Sequence, residues 1–214
     1  MLGTILADLR AVRKNDPAAH NWLEVFFCYT TFYAILLHRF TRLLWKIGIP
    51  LLPRFVSQLN RFLTGVEIHP GAKIGRGFFI DHGMGVVIGE TAVIGENCVI
   101  FHNVTLGGTE SVHGRRHPKI GDNCLVGTGT SLLGPILIGS EVKIGAASTV
   151  INRNIPDHCT VVGVPGRIVH YKGLRTNIPL PSLEYETLEQ MHDYMSVMLA
   201  QIEDVAHSPS NEAP

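Results

Sequence analysis

From Ile68 to Val150 the chain places an aliphatic residue at every sixth position. Ile68, Ile74 and Ile80 open the series, which slips by two residues and resumes at Ile88, Ile94, Ile100 and Leu106. After a Gly-rich, basic excursion it continues through Ile120, Val126, Leu132, Ile138, Ile144 and Val150. A small or β-branched residue stands four places on at Ala72, Ala92, Cys98, Val104, Cys124, Thr130, Val142 and Ser148. A period of six fits neither a helix, at about 3.6 residues per turn, nor a lone strand, at about two. It is the mark of a parallel β-helix of hexapeptide repeats. Each repeat is a short flat strand and a turn, and three repeats close one triangular coil. The aliphatic and small residues are expected to point into the prism, and stacked coils bury one continuous apolar column. The glycine that follows the aliphatic in Ile74-Gly75, Ile88-Gly89, Ile94-Gly95, Ile120-Gly121, Ile138-Gly139 and Ile144-Gly145 is expected to supply the conformational freedom of the corners.

The flanks read as helices. Residues 2–15 carry Leu2, Ile5, Leu6, Leu9 and Val12 on one face. Asp16-Pro17 has the form of an N-cap followed by Pro at the first helical position. Helical pattern runs through Trp22–Trp45 with a bend near Thr30-Thr31, and Gly48 and Pro50 end it. A further helix over 53–64 stops at Gly65. Past Lys172, the three- and four-residue spacing of Leu188, Met191, Met195, Met198 and Ile202 predicts an amphipathic helix over 183–205. Ser208–Pro214 is expected to be disordered. The reading is therefore an all-β core with helical flanks. It comprises an N-terminal α-helical domain (1–65), a β-helix domain (66–170) with an excursion loop at 107–119, and a C-terminal segment (171–214).

Eighteen basic and eighteen acidic residues cancel, so no global positive field is present to hold nucleic acid. The four cysteines lie at scattered positions with no metal or redox spacing, and Cys98 and Cys124 fall on inward hexad positions. With no signal-peptide pattern at the N-terminus, reduced thiols and a cytoplasmic location are expected. Val25–Leu37 is apolar but too short to span a bilayer, so no membrane association is expected.

The chemistry concentrates at two anomalies in the repeat. The first is Asp81-His82, an acid and a histidine where corners usually carry small residues. Hexad counting stacks His102 one coil above His82, about 4.8 Å away. Glu67 lies fifteen residues before His82, just under one coil, where a carboxylate could orient the imidazole and stabilise its protonated form. The second anomaly is the 107–119 excursion, a Gly-, Arg- and His-bearing insertion on a rigid scaffold. Within it Arg116 is suited to clamping a carboxylate and His117 to binding a ligand or carrying a proton. On the bland reading Asp16 is an N-cap, His102 is structural, and His69, His113, His158, His170 and Arg115 are surface residues.

These residues carry a resemblance. DPA at Asp16, EIHPGAKIG at Glu67, GFFIDH ending at His82, VIGETAVIG, VTLGGT ending at Thr109, RHPKIG from Arg116 and GVPGRIV from Gly163 resemble the serine acetyltransferase family, over nearly all of residues 10–170. The resemblance implies a left-handed β-helix and acetyl transfer from acetyl-CoA, as cosubstrate, to the hydroxyl of L-serine. It makes His82 the general base and Glu67 its partner carboxylate, a position usually occupied by Asp. It assigns Asp16 and Asp81 to the serine ammonium, Arg116 and His117 to its carboxylate, and Gly108, Thr109, Thr128, Lys143 and Ala146 to the coenzyme A groove. The hydroxyl attacks the thioester directly, and no metal is implied. Cysteine is the expected competitive inhibitor.

Two departures from the larger family members bear on assembly. Only about 65 residues precede the β-helix here, whereas a longer helical domain pairs trimers into hexamers there. A homotrimer is therefore expected, with a hexamer as the alternative, and the Met-rich helix is expected to fold back on the trimer interface. Larger members also end in an isoleucine that enters the active site of cysteine synthase, whereas this sequence ends Asn-Glu-Ala-Pro, which puts such a complex in question. Other hexapeptide acyltransferases acting on sugars or homoserine are the runner-up. A γ-class carbonic anhydrase, with His82, His113 and His117 on zinc, is weaker because the spacing is wrong for that family, and an intact His82, Glu67 and Arg116-His117 argue against a non-catalytic scaffold.

Overall fold

The computed structural model describes residues 1–207, so the Ser208–Pro214 tail lies outside the described residues. Four helices, α1 (Leu2–Asn15), α2 (Trp22–Cys28), α3 (Thr30–Lys46) and α4 (Leu52–Thr64), precede a parallel β-solenoid of three faces. The first face stacks β1 (Glu67–Ile68), β4 (Val87–Ile88), β7 (Thr105–Gly107), β10 (Ser131–Leu133) and β13 (Thr149–Ile151). The second stacks β2 (Lys73–Ile74), β5 (Val93–Ile94), β8 (Lys119–Ile120) and β11 (Leu137–Ile138). The third begins with β3 (Phe79–Asp81), β6 (Val99–Phe101), β9 (Leu125–Val126), β12 (Lys143–Ile144) and β14 (Cys159–Val162).

The period of six becomes three vertical ladders. Ile68, Ile88, Leu106, Leu132 and Val150 are successive partners on the first face. Ile74, Ile94, Ile120 and Ile138 line the second, and Ile80, Ile100, Val126, Ile144 and Val161 the third. All but Ile74 are buried, as are the small residues between them. Burying one such aliphatic side chain contributes about 1.5–3 kcal/mol, so the ladders supply most of the cohesion of this domain.

The corner glycines serve a different purpose from the expected one. Gly75, Gly95, Gly121 and Gly139 do not have positive φ. They stack so closely that a Cβ on Gly121 would lie 2.7 Å from the carbonyl carbon of Gly139, and one on Gly139 2.5 Å from the amide nitrogen of Asp157. Close backbone approach is the constraint. Left-handed turns fall on other corner positions, held by glycines such as Gly77, Gly85, Gly129 and Gly134 and by Asn97, Asn103, Asn123 and Asn152, with φ between 49° and 57° at the asparagines, the residue type that tolerates that region best after glycine.

Helices close the lower end of the solenoid. Of the apolar face read on α1, Val12 is buried and Ile5 and Leu9 are half-buried, but Leu2 and Leu6 are exposed, and the buried residues are Asp8, Ala11 and Val12. The reason is a buried ion pair. Asp8 meets Arg39 of α3 at 3.1 Å and accepts the amide of Phe78 at 3.1 Å. Burial pushes the Asp8 carboxyl up, while Arg39 opposes that shift. Arg39 also donates to the carbonyls of Ile74 and Gly75, the second at 2.5 Å. Helix α4 turns Ser57 and Asn60 inward, where Ser57 donates to Ile68 O (2.8 Å) and Asn60 to Ala34 O (2.9 Å). Its apolar Phe55, Leu59, Phe62 and Leu63 face outward.

At the upper end the chain turns back. β15 (Arg167–Tyr171) pairs antiparallel with β14, and β16 (Leu174–Pro179) antiparallel with β15, extending the third face by strands the hexad pattern does not announce. Helix α5 (Leu188–His207) starts at Leu188, not at 183. Thr187 and Gln190 exchange hydrogen bonds across its first turn (3.1 and 3.2 Å), a reciprocal cap that sets the boundary. Met191 and Met195 are fully buried, and Met195 joins the solenoid core of its own chain. Among the described residues no helix is long and apolar enough to cross a membrane.

Candidate active site

The end of α1 is held against β3 by a small apolar cluster of Ala11, Val12, Ala19, Val25 and Phe79. That packing sets where Asp16 falls. Asp16 caps the C-terminus of α1 with extended backbone and does not begin a helix; the N-cap of α2 is Asn21, whose side chain accepts Glu24 N–H at 2.8 Å. Asp16 Oδ1 accepts the amide of Ala18 at 2.8 Å, and Oδ2 accepts the Tyr29 hydroxyl at 2.5 Å. Tyr29 is the extended residue separating α2 from α3, one residue ahead of the expected bend.

Asp81 ends β3 and His82 opens the turn into β4. His82 takes φ 61° and Gly83 φ 77°, so consecutive left-handed residues drive the imidazole out of the prism. A side chain on Gly83 would run into Thr31 and Val66, which seats the start of α3 on this corner. The His82 ring is 73 % exposed, and its Nε2 lies 3.8 Å from Asp81 Oδ1, near enough for charge stabilisation but beyond hydrogen-bond reach. Asp16, Asp81 and His82 thus come together, with Cys28, Tyr29, Thr30 and Thr31, around a cavity of about 310 Å³. His102 stacks edge-on at 5.7 Å from His82, one coil up as expected, and its Nδ1 is buried without a partner.

A second cluster occupies a different corner of the prism, between the first and second faces. Arg116 Nη2 bonds Glu90 at 2.5 Å, and this contact holds the Glu90 carboxyl below the usual range. Thr91 Oγ1 accepts the amides of Arg116 (3.0 Å) and His117 (3.2 Å) and lies 2.8 Å from His117 Nδ1. The Thr91 amide also donates to that Nδ1 at 3.2 Å, which puts the proton of the neutral ring on Nε2. Burial, then the neighbouring Arg116, lowers the His117 pKa. Nearby His69 is half-buried edge-on to Trp45, and burial and Arg54 take it down to about 4, so it is not a surface residue. His113, His158, His170 and Arg115 are exposed.

Four of the five coenzyme-groove candidates divide over the same two corners. Gly108 and Thr109 follow β7, Thr109 donating to Asn152 at 3.1 Å. Thr128 and Ala146 lie above His102, with the Ala147 amide on Thr128 O at 2.7 Å. Lys143 points out from the third face. Glu67 opens β1 and pairs with Arg61 at 3.1 Å, and no hydrogen bond or ion pair joins it to His82. His82 and His117 stand at separate corners, and among the described residues no group of three or more His, Cys, Asp or Glu is placed to hold a metal ion.

Sequence reasoning passed over Tyr29, Glu90 and Thr91. Glu90-Thr91 sits directly after Ile88-Gly89, but which loop would return above it is not written in the period. For Tyr29 the one signal was the bend expected near Thr30-Thr31, which marks a break in the helix but not the contact that the phenol makes.

No family model matches the chain. Over its full length it is 46 % identical to the serine acetyltransferase of Synechococcus elongatus, covering 88 % of that protein. It is 45 % identical to that of Bacillus subtilis strain 168, over 92 % of this chain and 93 % of the relative. Among solved structures, serine acetyltransferase of Neisseria gonorrhoeae superposes with a TM-score of 0.77 at 42 % identity, over 82 % of this chain and 68 % of that one. A serine acetyltransferase in complex with cysteine superposes equally well, at 40 % identity over 79 % of this chain and 70 % of its own.

Proposed function

The chain belongs to the serine acetyltransferase family, and from that premise we propose that the corner formed by Asp16, Asp81 and His82 is where L-serine is acetylated. The carrying observation is that two carboxylates distant in sequence converge on one exposed imidazole. The carboxylates suit the serine ammonium. A neutral imidazole nitrogen of His82 takes the hydroxyl proton as the serine oxygen attacks the thioester carbonyl of acetyl-CoA. Collapse of the tetrahedral intermediate expels CoA, whose sulfur takes the proton from the imidazolium, and O-acetyl-L-serine is formed. Glu67 is assigned to stabilising that imidazolium, although here its carboxylate pairs with Arg61.

The site is completed by a neighbouring copy. Arg116 and His117 stand at another corner of their own prism, so they reach a serine carboxylate at His82 only across an interface. A cyclic trimer sets one corner of each copy against a different corner of the next. The same split of Gly108 and Thr109 from Thr128 and Ala146 suits a coenzyme A groove between copies. The outward apolar face of α4, Phe55, Leu59, Phe62 and Leu63, is the kind of surface that such an assembly covers. Cysteine presents the same ammonium and carboxylate as serine and competes for this site. Acetyl-CoA as cosubstrate and four unpaired cysteines fit a cytoplasmic enzyme.

The test is acetyl-CoA consumption, read by thiol release, across serine, homoserine, threonine and simple sugars. Serine should lead the series with cysteine competitive against it. Faster turnover of a sugar or homoserine, or cysteine inhibition that leaves the apparent affinity for serine unchanged, overturns the reading.

A further inference from the structure

Tyr29 sits at a helix break that no Gly or Pro marks. From Trp22 to Lys46 there is no Gly or Pro, yet Tyr29 leaves helical geometry at φ −92°, ψ 91°. Interrupting a helix forfeits backbone hydrogen bonds, so a break without a breaker residue calls for a compensating contact. Here the contact is the phenol, whose hydroxyl donates to Asp16 Oδ2 at 2.5 Å from thirteen residues along the chain. Asp16 Oδ1 is meanwhile held by the Ala18 amide. With one donor on each oxygen the carboxylate cannot rotate freely, and each oxygen keeps capacity to accept one more hydrogen bond. We propose that Tyr29 is a positioning residue for the amino-group subsite, fixing the Asp16 carboxylate in the orientation that receives the ammonium of the substrate; this rests on the serine reading above.

The surroundings support the role. Tyr29 lines the same cavity as Asp81 and His82. Burial and the carboxylates of Asp16, Glu24 and Asp81 all raise its pKa, so it stays a donor throughout the pH range in which His82 can act as a base. Since the phenol touches Asp16 and not the hydroxyl being acetylated, its loss should weaken amino-acid binding more than it slows the chemistry.

The experiment compares full-length wild type, Tyr29→Phe, Asp16→Asn and the double variant. The measurements are kcat, KM for serine and for acetyl-CoA, the inhibition constant of cysteine, calorimetric serine binding and Tm. A charge-assisted hydrogen bond is lost, so KM for serine and the cysteine inhibition constant should rise together by about 10-fold or more. The expected kcat stays within about threefold, and KM for acetyl-CoA and Tm are unchanged. In the Asp16→Asn background Tyr29→Phe should add little, because the two act as a unit. Wild-type turnover with an unchanged serine KM in Tyr29→Phe overturns this inference alone, as does a fully additive double variant. A parallel fall in kcat, coenzyme affinity and Tm assigns Tyr29 to the fold only and equally overturns it. A wild type that neither binds nor acetylates serine overturns the functional reading and this inference with it.

Discussion

The imidazole of His117 occupies the space that a Cβ on Gly89 would need: the nearest atoms to that position are the Cδ2 and Nε2 of the ring. Gly89 has no positive φ, so its requirement is room and not backbone freedom. The ring is thereby held between Gly89 beneath and Thr91 beside it.

Gly89→Ala should therefore push His117 outward without straining its own backbone. Displacing a positioned polar group by about 1 Å can cost about 100-fold in rate. We expect kcat/KM for serine to fall by that order, while Gly3→Ala, where nothing lies within 4 Å of the added carbon, leaves it unchanged. Equal kinetics in the two variants would remove His117 from the site.

His82→Ala should lower turnover by about 100- to 10,000-fold, the usual contribution of a positioned base. The side chain is 73 % exposed, so the thermal transition should not move. Glu67→Gln should be milder, since an amide still positions a ring but cannot stabilise its charge. Near-normal turnover of His82→Ala would end its assignment as base.

Acid should destabilise the protein through His38. Burial, reinforced by Arg39 and Arg42, lowers its pKa to about 3, and both ring nitrogens are buried without partners. Free imidazole titrates near 6.5. Between about pH 6.5 and 3 the unfolded chain therefore binds a proton that the folded chain refuses. Stability from this group is complete above that window and declines as pH falls through it, by at most about 1.4 kcal/mol per pH unit. Half-buried His69 adds a smaller term of the same sign. Unfolding midpoints measured from pH 7 to 5 should decline less steeply in His38→Leu; identical slopes would count against a buried neutral imidazole.

Helix α5 belongs to the fold of its own chain. Met195→Ala should cost about 2–5 kcal/mol in denaturant unfolding, the range for a buried Met. Ile202→Ala, at a 43 % exposed position, should cost under about 0.5 kcal/mol. A stability loss confined to Ile202 would point instead to a helix that docks elsewhere.

The solenoid was legible because its physics is local and repeated. A six-residue period places every inward side chain, and even the stacking of His102 on His82 followed from counting hexads. What failed to show were features set by contacts across the fold. The burial of Asp8 on α1 makes sense only once Arg39 stands opposite it, and exposed Leu2 and Leu6 misdirect a reading by hydropathy. Asp16-Pro17 has the residues of a helix start, yet packing of Ala11, Val12 and Ala19 on Phe79 makes it a helix end. The corner glycines were found for the wrong reason, since neighbouring coils and not dihedral angles demand them. At the candidate site, Asp81-His82 and Arg116-His117 were visible as departures from the repeat. That they stand at different corners depends on which face each strand joins, and that became clear only with the coils assembled.

A stack of parallel strands has two raw ends, each a row of backbone groups able to template another molecule. At the lower end Arg39, Ser57 and Asp8 bind the carbonyls of Ile74, Gly75 and Ile68 and the amide of Phe78, taking the part that a further coil would have played. Side chains anchored in helices cannot be extended by a second solenoid as a strand can. The ion pair of Asp8 with Arg39 thus does at this end what gatekeeper charges do at sheet edges: it opposes the stacking of a second solenoid, strand on strand, against the first coil.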